Sequence, residues 1–238
     1  MKLDILAIGV HPDDVELGCG GTVIKHIQLG KKVGILDLTL GELGTRGNAT
    51  LRTQEAMASA QLMGLAVRAQ IDLGDGFFEH NKASIIEISK ILRHYQPDIV
   101  LANALSDRHP DHGRAAKLIS DACFFSGLVK IETTFQGIKQ AKWRPKVVYH
   151  YIQDRHRHPD FVIDVTEQWD SKIQAIKAFS SQFFDPNSKE PKTPISSQEF
   201  LDFLEARARE MGRQIGVKYG EGFNTARAVG VHQLSDIF

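Results

Sequence analysis

Cysteine is scarce in this sequence, with two residues, Cys19 and Cys123, among 238. They lie far apart and form no C-x-x-C pair, which excludes the disulfide frameworks of small secreted domains. We therefore expect a reducing, cytoplasmic location. The N-terminal stretch MKLDILAIGV agrees, because its apolar run is short, is interrupted by Asp4 and lacks a signal-peptide cleavage site.

An excess of either charge is also missing. Lys+Arg and Asp+Glu both number 29, so the net charge gives no reason to expect nucleic acid or an anionic membrane as a partner. No apolar stretch approaches the roughly 18 residues that a membrane-spanning helix needs. The composition is that of an ordinary soluble protein.

What the sequence does contain is an alternation of short aliphatic runs with longer segments of helical periodicity, the pattern of a mainly parallel α/β sheet. Strands are predicted at 4–10, 32–39, 69–74, 98–103, 146–152 and 161–166, and crossover helices at 16–29, 50–64, 82–95 and 112–126. Two more helices follow the sixth strand, joined by FDPNSKEPKTPIS, which we expect to be a loop. Residues 129–145 carry no clear pattern.

No repeat or change of composition marks a domain boundary. The prediction is therefore a single α/β domain over residues 1–238. Its Rossmann-like, mostly parallel sheet would be flanked by helices on both faces, with further helices near the C-terminus.

A polar cluster follows the first predicted strand, where the apolar run stops at His11-Pro12-Asp13-Asp14. Open parallel sheets bind ligands at the carboxyl ends of their strands, so the fold supplies a cleft at this point. His11 and Asp14 are spaced to converge on one cation, with Asp13 as a free carboxylate beside them. Taken alone, the same residues are equally compatible with a helix cap and a packed histidine.

The strand at 98–103 leads into a second such cluster, His109-Pro110-Asp111-His112. If the first and fourth strands are neighbours, as in the common doubly wound order, the two clusters meet at one edge of the sheet. His11, Asp14 and one of the two histidines could then share a metal. Two histidines, one carboxylate and an open position are typical of a catalytic zinc rather than a structural one, and ferrous iron is compatible with the same ligands.

These residue types suit hydrolysis, because a metal lowers the pKa of a bound water toward neutrality. Asp13 could accept the second proton of that water as a general base, and the histidine that does not bind metal could protonate a leaving group or stabilise an oxyanion. Asp111 could hold the tautomer of that imidazole. The alternative, a metal- or sugar-binding protein without turnover, is disfavoured because ligands, base and acid are all present.

The two motifs, H-P-D-D and H-P-D-H, resemble those of the zinc-dependent N-acetylglucosaminyl deacetylases of the PIG-L/LmbE type. The resemblance is greatest for the bacillithiol-pathway branch, which removes acetate from N-acetylglucosaminyl malate. It rests on DDVELGCGGT, DLTLGELGTRGN, LRTQEA, HPDHGRAA and FLEARAREMGRQIGVKYGEGF.

Carried over by position, the resemblance implies one zinc ion on His11, Asp14 and His112. It implies that Asp13 is the general base. His109 would be the imidazolium that stabilises the tetrahedral intermediate or protonates the amine.

The resemblance also assigns roles around this centre. Asp111 would tune His109. Arg52, in LRTQEA, would reach the substrate, where its planar guanidinium suits a carboxylate or sugar hydroxyls. Arg108 is a second candidate for contact with an anionic group.

Further expectations concern the substrate and the assembly. The resemblance implies an amino-sugar conjugate with malate, while a chitin oligosaccharide or an inositol conjugate stays open because loops build much of the pocket. It also implies a homo-oligomer formed through the C-terminal helices, with a hexamer as one candidate. In the late loop, Thr193 and Pro194 stand where the branch is expected to have a tyrosine.

Overall fold

The computed structural model describes residues 1–234 of the chain. The elements in chain order are β1 (Ile5–Gly9), α1 (Asp14–Gln28), β2 (Val33–Asp37), α2 (Ala49–Met63), β3 (Val67–Gln70), α3 (Lys82–Tyr95), β4 (Ile99–Ala102), α4 (Pro110–Phe125), β5 (Thr134–Phe135), β6 (Ile138–Lys139), β7 (Val147–Tyr151), β8 (Phe161–Asp164), α5 (Trp169–Lys177), α6 (Gln198–Gln214) and β9 (Gly220–Thr225).

A seven-stranded sheet organises the molecule, in the order β3-β2-β1-β4-β7-β9-β8. The pairs from β3 through to β7 are parallel, and β9 runs antiparallel to both of its neighbours. The predicted mostly parallel sheet is confirmed. So is the adjacency of the first and fourth strands, which brings the ends of β1 and β4 together.

The central strand β1 divides two hydrophobic cores because its side chains alternate between the two faces of the sheet. Leu6 and Ile8 pack in one core with residues of α3 and α4. Ile5 and Ala7 pack in the other, mainly with residues of α1. All five residues of β1 are buried, as expected for a parallel strand covered on both faces.

Local sequence signals set several helix ends. The side chains of Asn48, Asn81 and Ser197 each accept a backbone N–H at the start of α2, α3 and α6, respectively, which satisfies a donor that has no partner within the helix. Gly64 ends α2 with φ of 76°, the left-handed conformation that glycine adopts without strain. Residues 184–196 contain no helix or strand, as predicted, and α5 ends at Lys177, before that loop begins.

Three parts of the sheet pattern differ from the sequence prediction. The third strand is Val67–Gln70 rather than 69–74, because its Arg68 is buried in ion pairs and gives the strand no apolar signal. The short hairpin of β5 and β6 lies within the unpatterned segment 129–145.

Strand β9 was not predicted, because its sequence GEGFNT contains two glycines and little β propensity. The glycines serve close packing here. A Cβ atom on Gly220 would lie 2.8 Å from the backbone nitrogen of Gly212, so α6 and β9 approach one another where neither has a side chain. Among residues 1–234, no helix is long and apolar enough to cross a membrane.

Candidate active site

The first cluster is shaped by a tight turn between β1 and α1. The Asp14 carboxylate closes this turn, since its Oδ2 accepts the backbone N–H groups of Val10 and His11, both at 3.0 Å. Asp13, within this turn, has φ of 120°. Residues other than glycine rarely adopt this backbone conformation, and those that do are concentrated at functional sites. The turn leaves His11 Nδ1 3.7 Å from Asp14 Oδ2.

The second cluster lies at the start of α4. His109 caps the helix, Pro110 occupies its first turn and His112 follows in the same turn. Because β1 and β4 are hydrogen-bonded neighbours, the two clusters meet, as predicted: His112 Nε2 lies 3.1 Å from Asp14 Oδ1, and the rings of His11 and His109 are 4.7 Å apart.

A cavity of about 370 Å³ opens over the joined clusters. His11, Asp13, Asp14, His109 and His112 all line it. Three arginines, Arg52, Arg108 and Arg207, line it as well, and its rim includes the apolar side chains Leu43, Phe77 and Phe200. Phe77 is 84% exposed, so the rim offers open apolar surface beside a polar floor.

Two groups of side chains bring potential ligand atoms within 4.8 Å of one another. One is His11 with His109 and His112, and the other is His11 with Asp75 and Asp111. His11 belongs to both groups. The sequence-predicted set of His11, Asp14 and His112 is held together by the 3.7 Å and 3.1 Å approaches of Asp14 to the two imidazoles.

The electrostatics of this donor set fit a bound cation. Burial disfavours a charged imidazole at His11, but hydrogen bonds with Asp111 and Asp75 outweigh it and raise the pKa of His11 to about 9. Burial likewise opposes charge on His112, yet Asp14 and Asp107 raise its pKa to about 10. Carboxylates that favour positive charge this strongly suit a divalent metal coordinated by imidazole and carboxylate.

The orientation of His112 also suits a ligand. Its Nδ1 lies 2.5 Å from Asp107 Oδ2, which leaves Nε2 facing Asp14. A carboxylate on the far nitrogen fixes the tautomer and ring orientation of a metal-binding histidine. Asp107 was not predicted, although it lies in the same strand-end loop as His109.

Two amides hold the Asp14 carboxylate from the other side. Asn103 Nδ2 donates to Oδ2 at 3.0 Å, and Gln153 Nε2 donates to Oδ1 at 2.7 Å. Neither was predicted, yet Asn103 directly follows β4 and Gln153 lies two residues beyond β7. The rule that ligands bind at the carboxyl ends of parallel strands was the signal that could have found both.

Arg52 is buried against the turn that carries Asp13. Its Nη2 donates to the Pro12 carbonyl at 2.6 Å and to Asp13 Oδ2 at 3.0 Å, while Nη1 donates to the Gly41 carbonyl at 3.1 Å. Only 4% of Arg52 is exposed. The structure thus places Arg52 as a clamp on the turn and on Asp13; its contact with substrate stays a prediction.

The Asp13 carboxyl is itself strongly perturbed. Burial raises its pKa from 3.8 to about 7, although the Arg52 guanidinium acts in the opposite direction. Arg52 contacts Oδ2 alone, so Oδ1 has no protein donor among the described residues.

His109 and Asp111 lie side by side without a direct hydrogen bond between their side chains. Asp111 Oδ2 accepts the Gly76 N–H at 3.0 Å and lies 3.4 Å from His11 Nε2, closer than its 4.0 Å to His109 Nδ1. His109 Nδ1 instead accepts the backbone N–H of Asp111 at 3.3 Å. In the neutral imidazole the proton is then on Nε2.

Arg108 lies at the outer part of the cavity. Its Nε donates to Asp154 Oδ2 at 2.9 Å, and about half of its side chain, 47%, is exposed. The arginine is therefore accessible, but it already has a carboxylate partner, and its contact with an anionic ligand stays a prediction.

The chain is similar in sequence to a known protein family and to several known enzymes. The family model PIG-L, described as GlcNAc-PI de-N-acetylase, matches residues 6–123, which include both clusters. The chain is 27% identical to diacetylchitobiose deacetylase of Thermococcus kodakarensis, with 96% of this chain and 85% of that protein aligned. It is also 27% identical to 4-oxalmesaconate hydratase of Pseudomonas putida, over 74% of this chain and 73% of the relative.

Among solved structures, the conserved protein TT1542 from Thermus thermophilus superimposes with a TM-score of 0.85. It is 30% identical, and the match covers 98% of both chains. None of these relatives carries a bacillithiol name, so the predicted branch stays a prediction. The predicted family is supported over residues 6–123, where the chain matches the PIG-L family model.

Proposed function

We propose that this protein is a metal-dependent N-deacetylase that removes the acetyl group from N-acetylglucosaminyl L-malate. One observation carries the proposal: an unligated carboxylate, Asp13, and an imidazole, His109, line the same cavity as the donor set of His11, Asp14 and His112. Hydrolysis of an amide uses a base, a donor to the developing oxyanion and an electrophile, and these residues supply that combination. Relatives named as deacetylases support the same class of reaction.

The metal site supplies the electrophile. A divalent ion bound by His11, Asp14 and His112, with zinc as the proposed metal and ferrous iron as the alternative, would polarise the amide carbonyl and acidify water. Asp107 keeps His112 oriented for this contact.

Asp13 is the proposed base. Its Oδ1 is available to take a proton from the attacking water, because Arg52 engages only Oδ2. The same contact stops the carboxylate from rotating, so the accepting oxygen stays directed by the turn. The rigid placement of a base is worth a large part of the rate enhancement in hydrolases.

His109 is the proposed donor to the oxyanion. With Nδ1 accepting a backbone N–H, its Nε2–H can donate a hydrogen bond to the oxyanion of the tetrahedral intermediate. The proton that Asp13 has taken from the water can then be delivered to the amide nitrogen. The amine leaves once that nitrogen is protonated, and acetate is the second product. In this scheme Asp111 influences His109 through the backbone N–H and through its charge.

The side chains that line the cavity support one class of substrate. A pyranose ring has apolar C–H faces and a polar edge, which suit a rim containing Leu43 and Phe77 above a polar floor. The arginines on the cavity favour an acidic conjugate such as the malate glycoside over a neutral chito-oligosaccharide. Assembly into a homo-oligomer, a cytoplasmic location and the absence of nucleic-acid or membrane partners remain predictions.

Acetate release is the test. The protein with its metal quantified, and the same protein stripped with chelator, would be offered N-acetylglucosaminyl malate, N,N'-diacetylchitobiose and free N-acetylglucosamine. We expect metal-dependent acetate release that strongly favours the malate conjugate. Preference for diacetylchitobiose would overturn the proposed substrate. No acetate from any of the three compounds would overturn the deacetylase, because hydration, the reaction named for one relative, releases no acetate.

A further inference from the structure

Arg207 is a cation in the cavity without a carboxylate partner. It lies on α6, is half-buried, and its Nη2 donates to the carbonyl of Leu17 at 3.0 Å. Among residues 1–234 no carboxylate lies within ion-pair distance of it, and its other N–H groups have no protein acceptor. Arg68, by contrast, bonds to two carboxylates and Arg52 bonds to one.

The nearby acidic groups are already engaged. Glu221 accepts from Lys172, Asp107 is bound to His112, and Asp154 accepts from Arg108. Desolvation lowers the pKa of the Arg207 guanidinium from its ordinary value, which these carboxylates offset from a distance. A partly desolvated charge without a contact partner is costly, so an anionic group entering the cavity would be attracted to it.

The place of Arg207 relative to the reacting centre is set by helix α1. Leu17 lies three residues after Asp14 on this helix, a displacement of about 4.5 Å along the axis. The carbonyl that Arg207 binds therefore lies about one helical turn from Asp14, the proposed metal ligand. Arg207 and Asp14 line the same cavity. The ring of Phe203, 5.6 Å from the guanidinium carbon, packs beside it.

This separation matches the chemistry of a 2-acetamido glycoside. The amide nitrogen is attached to C2 of the sugar and the aglycone to C1, so the two groups leave adjacent ring carbons. When the amide lies over the first cluster, the aglycone lies beside it, within reach of a side chain one helical turn away.

We propose that Arg207 is a specificity-determining residue that binds a carboxylate of the substrate's aglycone. The inference rests on the proposed deacetylase function and assigns the selection of an acidic aglycone to one side chain. A guanidinium presents two parallel N–H groups to a carboxylate. A neutral chito-oligosaccharide has no carboxylate, so it offers this guanidinium only uncharged hydroxyl or amide oxygens, which form weaker hydrogen bonds.

The test compares two substrates with the same preparation of each protein. A loss of folded enzyme then lowers both rates equally and leaves their ratio unchanged. The ratio of kcat/KM for acetate release from N-acetylglucosaminyl malate to that from N,N'-diacetylchitobiose is measured for wild type, Arg207→Gln and Arg207→Lys. We expect Arg207→Gln to lower the ratio about 10- to 100-fold, the size of a charged hydrogen bond, and Arg207→Lys to lower it less. Arg209→Gln is the matched control: this exposed arginine on the same helix pairs with Glu205, and the ratio should not change.

Binding gives a second readout that does not depend on turnover. Calorimetry with the amine product glucosaminyl malate and with methyl glucosaminide should show that Arg207→Gln weakens binding of the first and leaves binding of the second unchanged. An unchanged ratio and unchanged product binding in Arg207→Gln would overturn the role of Arg207 while the deacetylase stands. If wild type releases no acetate from the malate conjugate, the proposed substrate fails instead, and product binding still decides the role of Arg207.

Discussion

Gln153 donates its side-chain N–H to Asp14 Oδ1 at 2.7 Å, joining two residues that are 139 positions apart in the sequence. Both side chains are nearly inaccessible, with 4% and 2% exposed. The amide fixes one oxygen of the proposed metal ligand, while backbone N–H groups of the turn fix the other. The carboxylate is thus held in place before any metal arrives.

Removing this amide should weaken metal binding. For Gln153→Leu we expect the metal dissociation constant to rise about 10- to 100-fold, the usual cost of losing a partner of a metal ligand. Competition with a chromogenic chelator measures this constant without reference to activity. Gln61→Leu, an exposed glutamine on α2, serves as the control, and equal affinities for the two variants would contradict the role of Gln153.

Asp13→Asn should separate metal binding from catalysis. The amide keeps the shape of the side chain but cannot accept a proton, so we expect metal content to stay at one ion per chain while kcat falls by about 10²- to 10⁴-fold. Metal analysis and acetate release on the same preparation give both numbers. Asp170→Asn, at an exposed position on α5, should match wild type; substantial activity in Asp13→Asn would exclude Asp13 as the base.

The backbone of Asp13 leads to a separate prediction about stability. At φ of 120° an alanine is strained and a glycine is not, so Asp13→Gly should be more stable than Asp13→Ala by about 1 kcal/mol. Both variants lose the carboxylate and its bond to Arg52 alike, so the comparison isolates the backbone. Urea unfolding of the metal-free proteins measures the difference, and equal stability would show that the turn relaxes.

A buried ion-pair network supports the helix that carries Asp14. Arg68 bonds to Asp37 and to Glu16, and all three side chains are fully buried. Arg68→Met leaves two buried carboxylates without their cation, so we expect the free energy of unfolding to fall by about 3–5 kcal/mol. Chemical denaturation measures it against Arg209→Met as a surface control, and a loss below about 1 kcal/mol would mean that the carboxylates take up protons at little cost.

The parts of the fold that depend on local patterns could be predicted from the sequence. Continuous apolar runs marked β1 and β4, and the polar residues directly after them marked the two clusters. Strand adjacency then followed from the common order of such sheets, which is why the meeting of His11 with His112 could be predicted.

The parts that escaped prediction depend on distant contacts. Strand β9 has no apolar periodicity of its own and is formed by pairing with β7 and β8. Arg68 makes the sequence of β3 polar. Its burial could not be predicted because its partners, Asp37 and Glu16, lie in other elements. Gln153 is an ordinary loop residue until the sheet brings it to Asp14.

The position of β9 has a consequence for biosynthesis. Strands β7 and β8 are made one after the other, but they do not pair; β9, made last, lies between them. As the chain leaves the ribosome, every proposed metal ligand has already emerged by residue 112, while a gap one strand wide persists in the sheet until residues 220–225 are added. A nascent or truncated chain that stops short of Gly220 would therefore expose two unpaired strand edges, the feature that most invites intermolecular β pairing.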